Sequence, residues 1–297
     1  MVKTNRNKIN SRSRVADILI YIAVFLFGLL TVIPFIHVFN VSISSPQHVL
    51  GKAFMLWPQG IGFESYRFIF RNGALIKSFE ITIFITVVGT ALNLLFTATA
   101  AYALSKNELP GRKAFMMFIV LTIILNAGII PEYMLFANLN LIDSVWSLVL
   151  VGLVSGYNLI LMRNFFIGIP EALVESAKID GAHEMRIVFQ IIIPLSIPAM
   201  ITIGLFYGVA HWNEFFKGIM FINDSSKWPL QVVLKGIVTQ ADFTQIGGSS
   251  NSYIGKKVNV QTIQGAAIFS AALPVMIVYP FLQKYFSKGI VLGAVKE

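Results

Sequence analysis

Six apolar runs, near residues 17–39, 79–104, 114–136, 144–163, 197–221 and 264–284, leave this chain few ways to fold. Each approaches or exceeds the roughly 20 residues that a helix needs to cross the hydrocarbon core of a bilayer. In that medium backbone N–H and C=O groups have no water to bond, so a run of this length must satisfy them itself, as a helix does. Composition agrees. Of 297 residues, 56% are hydrophobic and only 12% charged, where a soluble domain carries about a quarter. The expected fold class is all-α: a polytopic membrane protein with about six transmembrane helices, spanning residues 17–284.

Charge placement suggests an orientation. Residues 1–16 carry Lys3, Arg6, Lys8, Arg12 and Arg14 ahead of the first apolar run. That run is longer than a signal-peptide core and no small-residue cleavage site follows it, so it reads as a retained span with a cytoplasmic head. Six spans then return the C-terminus to the cytoplasm. Of the 23 Lys and Arg residues, fourteen fall inside and eight outside, with Lys217 at a boundary. Most of the outside charge lies in two long loops, near 40–78 and 222–263, whose weight in setting topology is small. The net charge of +9 therefore reads as a topology signal and as contact with anionic lipid, not as a nucleic-acid surface. With no cysteine there is no disulfide or thiol chemistry.

One polar stretch between two spans is built differently from the other connections. Residues 171–194 read EALVESAKIDGAHEMRIVFQIIIP. Pro170 suits the start of a helix. Glu171 and Glu175 lie where the positive end of the helix dipole favours carboxylates. Ala172, Ser176 and Ala177 are small enough for another surface to come close. Gly181 tolerates the left-handed backbone that ends a helix. Met185, Val188, Phe189 and Ile192 then recur at helical spacing, and Pro194 is expected to close the run. The product is a helix–Gly–helix elbow over 168–194, projecting from the membrane domain.

This stretch resembles the coupling loop of binding-protein-dependent ABC importer permeases, whose pattern is Glu-Ala-Ala, three residues, Gly, nine residues, then Ile-x-Leu-Pro. Here Glu175-Ser176-Ala177 is followed after three residues by Gly181, and after nine more by Ile191-Ile192-Ile193-Pro194. Ser for the middle Ala and Ile for Leu are departures of similar size. Asp180-Gly181-Ala182 is the form found in carbohydrate-type importers. The tail, 285–297, is similar to that of the smaller maltose-type permease subunit, and His211-Trp212-Asn213-Glu214-Phe215 is similar to a sugar-permease element in the fifth span. Within the family the chain looks nearest to permeases for complex oligosaccharides or uronate-containing glycans.

The resemblance implies a bacterial cytoplasmic membrane location, a second homologous permease subunit, two ABC ATPase subunits and an extracellular or periplasmic solute-binding protein. ATP and Mg would belong to the ATPase subunits, with no cofactor in this chain. Glu171, Glu175, Ser176, Ala177, Asp180, Gly181, Ala182 and Pro194 would form the ATPase-coupling surface. Gly289, Gly293 and Lys296 would place an extended, bent tail against the ATPases. The candidate substrate path is Asn93, Asn126, Asn158, Trp212, Asn213 and Glu214. For the run around Trp212 two readings stand: stacking on a sugar with hydrogen bonds from Asn213, or an aromatic belt with helix-to-helix bonds. The polar tip Gly247–Ser252 in the second long loop reads either as a docking surface or as a solvated connector.

Other chemistry finds little support. Walker-type phosphate loops need Gly-x-x-x-x-Gly-Lys-Ser/Thr, and that pattern is absent. His183-Glu184 lacks the second histidine of a zinc helix, since position 187 is Ile. Ion-driven transporters carry buried carboxylates as ion sites, and the spans hold almost none. The small-residue pairs Gly152-x-x-x-Gly156 and Gly204-x-x-x-Gly208 read as helix-packing faces. The rival readings are an ABC permease for a non-sugar solute, an ion-coupled secondary transporter and a membrane enzyme.

Overall fold

The computed structural model describes residues 6–49, 51–52, 54–71, 73–125, 127–239 and 259–294. Asn126, Lys296 and the Gly247–Ser252 tip lie outside these. The described chain is helical, and it divides into two compact units, residues 1–72 with 241–271, and residues 73–240 with 272–297.

In the first unit, α1 (Arg6–Ile43) starts with a basic turn or two and then, over Ala16–Ile43, shows no polar face, and its most apolar window is not buried by the rest of this chain. A helix of that kind needs lipid or another subunit as its solvent. Its far end is polar and tied down. His37 Nδ1 accepts from Met55 N–H at 3.0 Å, and Ser42 Oγ and Tyr66 Oη of α2 (Glu64–Phe70) share a bond of 2.8 Å. Ser65 donates to Thr262 Oγ1 at 2.8 Å. The long loop near 40–78 thus carries a short helix, α2, and Trp57 in the same loop stands 80% exposed.

The second unit is organised on α3 (Ala74–Ser105), with α4 (Arg112–Ile124), α5 (Ile129–Asn138), α6 (Val145–Leu150) and α7 (Gly156–Ile167) following. Next come α8 (Glu171–Ile179), α9 (Glu184–Leu195), α10 (Ile197–Trp212), α11 (Phe216–Phe221) and α12 (Leu230–Thr239). The last helix, α13 (Val260–Ala294), runs from the first unit into the second. Gly204 and Gly208 do form a packing face. A Cβ on Gly204 would stand 3.1 Å from Leu94 Cδ1, and one on Gly208 3.5 Å from Thr90 Oγ1, so α10 lies close against α3.

The all-α membrane class stands, and several local expectations are corrected. Among the described residues, only Ala16–Ile43, Ala74–Ser105 and Val260–Phe281 are unbroken helices long and apolar enough to span, and two bent pairs, α4 with α5 and α9 with α10, could add two more. The fourth run is not one helix: it breaks between α6 and α7, where Gly152 takes a left-handed φ of +72°. Gly152 and Gly156 therefore lie in and beside a turn and do not share a helix face. Pro194 does not end its helix. The turn Val188–Ile192 widens to π geometry just before it, which relieves the clash of a proline ring with the carbonyl four residues back and leaves its missing N–H harmless. The sharp 82° bend comes one step later, at buried Ser196. Gly289 and Gly293 sit inside α13, not in an extended tail. A helix satisfies its own backbone groups where an extended segment must borrow partners, and each glycine costs only about 1 kcal/mol.

The loop before α6, unremarkable in sequence, is a tight clamp. Asp143, at φ +61°, accepts from Asn223 and Asp224 N–H through Oδ1 at 3.2 and 2.9 Å, and pairs through Oδ2 with Lys227 at 2.8 Å. Lys227 beside it, together with the Asp224 N–H, holds the Asp143 carboxyl below the usual range. A depressed carboxylate contributes stability that is present above its unfolded pKa and lost as pH falls through the folded one. Melting temperature in detergent should therefore drop on acidification below about pH 4. Asp143→Asn should flatten that acid limb, and an unchanged limb would show that the clamp contributes nothing.

Candidate functional site

Two regions of the second unit place polar groups where an apolar bundle must have a reason for them. The first is the broken fourth run. Backbone freed from helix at membrane depth needs partners from elsewhere in the protein, and α3 and α10 supply them. Asn93 is 1% exposed, and its Nδ2 donates to the carbonyls of Leu153 at 2.8 Å and Gly152 at 3.2 Å. With Nδ2 so engaged, Oδ1 faces His211 Nε2 at 2.8 Å as an acceptor, so the imidazole carries its proton on Nε2. The Tyr207 hydroxyl accepts from Ser155 N–H at 3.0 Å and bonds Thr97 at 2.7 Å. Ser155 in turn caps α7 through Asn158 N–H. Gly89 makes the cluster possible: a Cβ there would come within 2.5 Å of His211 Nε2.

Of the residues expected on the path, Asn93 and Asn158 are buried at this break. Trp212 is packed, its ring centroid 6.4 Å from that of Phe79. Asn213 is exposed and donates to Val209 O at the end of its own helix, at 2.9 Å. Glu214 accepts from Lys217 N–H at 3.0 Å and so caps α11, while its other oxygen lies 3.6 Å from Lys217 Nζ. The roles of Gly89, Tyr207 and Ser155 were missed from sequence. The available signal was a capping serine after a glycine inside an apolar run.

The second region is the elbow. α8 ends in a two-bond glycine cap: Ala182 N–H donates to Ala177 O at 2.9 Å and Gly181 N–H to Lys178 O at 3.0 Å, with Gly181 at φ +76°. That is the geometry in which glycine terminates a helix with its last carbonyls satisfied. The elbow has two faces. Val174, Ile187 and Ile192 are buried in one cluster with Ala98 and Ala101 of α3, Met162 and Phe166 of α7, and Ala199, Ile203 and Tyr207 of α10. Outward stand Glu171, Glu175, Ser176, Asp180 and Gly181, all exposed, with Ala177 and Ala182 half-buried beside them. Apolar side chains share that outer surface: Ile179 is 86% exposed and Met185 63%. Pro194 is exposed at the base.

A helical membrane bundle with a polar-clasped broken segment and an outward knob of mixed polarity is the build of a transport permease. The comparisons agree. No model of a known protein family matches the chain. It is 42% identical over 285 residues to the polygalacturonan/rhamnogalacturonan transport system permease protein YtcP of Bacillus subtilis (strain 168), covering 96% of this chain and 99% of that protein. To the arabinooligosaccharides transport system permease protein AraQ of the same organism it is 30% identical over 80% of each chain. Among solved structures, a chain of a bacterial ABC transporter involved in the import of the acidic polysaccharide alginate superposes with a TM-score of 0.85 at 34% identity, covering 93% of this chain and 98% of that one. The chain belongs to the family of carbohydrate ABC importer permeases.

Proposed function

We propose that this chain is one of two permease subunits of an ATP-driven importer for oligosaccharides, acidic ones among them. Support for the acidic class comes from similarity: the more similar of the two curated relatives and the matched structure both serve polymers of this kind. The single observation that carries the coupling role is the two-faced elbow. Ile179 and Met185 stand exposed among the polar residues of a segment whose other face is buried in the bundle, and exposed apolar groups rimmed by polar ones mark a partner site. Two ATPase subunits, holding ATP and Mg, would supply that partner. The N- and C-termini and the elbow then face the cytoplasm, and a solute-binding protein delivers substrate on the opposite side. The chain itself does no catalysis. A second permease completes the path. The long helix α1, with no polar face over Ala16–Ile43, fits a contact with that subunit or with lipid.

ATPase closure would press on the elbow, and the buried face would carry the displacement into α3, α7 and α10, a switch between two packings of one bundle. The test is the assembled transporter in proteoliposomes, with a photocrosslinker at Ala177 or Ile179. Crosslinks to an ATPase subunit, and uptake of oligogalacturonides that needs ATP and not an ion gradient, are expected. Crosslinks that never reach an ATPase overturn the coupling role, and gradient-driven uptake without ATP overturns the importer class.

A further inference from the structure

The geometry points to Tyr102 as the positioning residue that fixes the elbow to α3, so that movement of the elbow becomes movement of the central helix. This rests on the coupling role proposed above.

Apolar contact alone does not give a fixed joint. The fully buried α3 members of the shared cluster are Ala98 and Ala101, with Leu94 and Tyr102 itself packed against it, and the two alanines offer Val174, Ile187 and Ile192 a shallow surface with little interlocking. Directional bonds set the register. Tyr102 lies in the last turn of α3, and its hydroxyl donates to Glu184 Oε2, in the first turn of α9, at 2.6 Å. The other oxygen of the same carboxylate pairs with Lys178 in the last turn of α8 at 3.0 Å. Glu184 therefore holds both arms of the elbow and the end of α3 at once. Its carboxyl is kept below the usual range first by the Tyr102 hydroxyl and then by Lys178. It is ionised at neutral pH, and its bonds are of the stronger, charge-assisted kind. Lys106 lies over the Tyr102 ring, 4.8 Å from its centroid, and Arg163 Nε of α7 donates to Leu104 O at 2.9 Å. Three elements meet within one helical turn of Tyr102.

Tyr102→Phe isolates the tether, because the ring and its cation contact remain and only the hydroxyl is lost. Glu184→Gln is the second variant: it keeps an acceptor for Tyr102 and removes the charge that Lys178 pairs with. In the complete transporter with loaded binding protein, Tyr102→Phe is expected to raise the ATP hydrolysed per oligosaccharide imported about fivefold. Glu184→Gln should raise it less. Assembly with the ATPases should be unchanged in both. A merely structural residue would lower yield or melting temperature and leave that ratio alone. A wild-type ratio in Tyr102→Phe overturns the proposal. The joint is also read directly, by spin labels at Ser105 and Ala182 of the assembled transporter. A distance distribution that broadens in Tyr102→Phe supports the tether, and one as narrow as wild type overturns it. Neither spin-label outcome depends on whether the elbow meets an ATPase, so failure of the tether and failure of the coupling role are distinguishable.

Discussion

Asn93→Leu is expected to lower the melting temperature of the detergent-solubilised chain by several degrees and to abolish transport. Leucine matches asparagine in its number of side-chain heavy atoms and suits the apolar bundle but is bulkier, so the loss is one of hydrogen bonding with an overpacking cost beside it. Two carbonyls, Gly152 and Leu153, and the Nε2–H of His211 lose their shared partner. A buried polar group left unsatisfied costs about 1–3 kcal/mol. Interhelical bonds in membranes average nearer about 0.6 kcal/mol, because the freed groups find other partners. The lower figure suits side chains on intact helices. The carbonyls here belong to a turn whose own helical bonds are already broken, which favours the upper range, in total about 3 kcal/mol. Gly89→Ala should act the same way through a different cause, by pushing His211 off Asn93. Thermal unfolding of both variants beside Thr99→Val, whose exposed hydroxyl bonds only its own helix, checks this. Equal melting of Asn93→Leu and Thr99→Val would mean that the clasp holds nothing.

What the sequence disclosed, and what it hid, divides along the same physical line. Local patterns were legible. The apolar runs announced helices, and the Glu175-to-Pro194 spacing announced the elbow, because capping glycines and helical periodicity act over a few residues. The turn at Gly181 has the backbone expected of it. Long-range polar pairing was not legible. Asn93 and His211 are 118 positions apart and Tyr102 and Glu184 are 82 apart, and nothing local marks them as partners. The break at Gly152 was hidden for a related reason. An apolar run reads as a continuous helix unless its interruption can be satisfied, and the groups that satisfy this one reside on α3 and α10. Asn213, for which the sequence left both a substrate contact and a structural bond open, donates to a carbonyl at the end of its own helix.

Gly181→Val should cost little stability and nearly all function. The φ of +76° lies in the left-handed region, which costs an L-residue roughly 1–2 kcal/mol, and more for a β-branched side chain. A Cβ at this position would meet nothing within 4 Å, so the cost is purely conformational and the chain can escape it by rotating the turn. Rotation would break the bonds from Gly181 and Ala182 N–H to Lys178 and Ala177 and re-aim α8 against α9. The buried face would survive, since Val174 and Ile187 are anchored in the cluster shared with α3, α7 and α10. The exposed face would not keep its shape, because Ile179 and Met185 sit on opposite sides of the turn. Membrane insertion and yield should therefore stay near wild type while ATP-dependent uptake falls at least about tenfold, which corresponds to about 1.4 kcal/mol of lost coupling. Asn tolerates left-handed backbone, so Gly181→Asn should retain most uptake where Val does not. That ordering, Gly then Asn then Ala then Val, separates a backbone requirement from a steric one. A steric requirement would rank the variants by volume and place Ala ahead of Asn, and uptake in that order would show that the partner's approach, not the turn, needs glycine here.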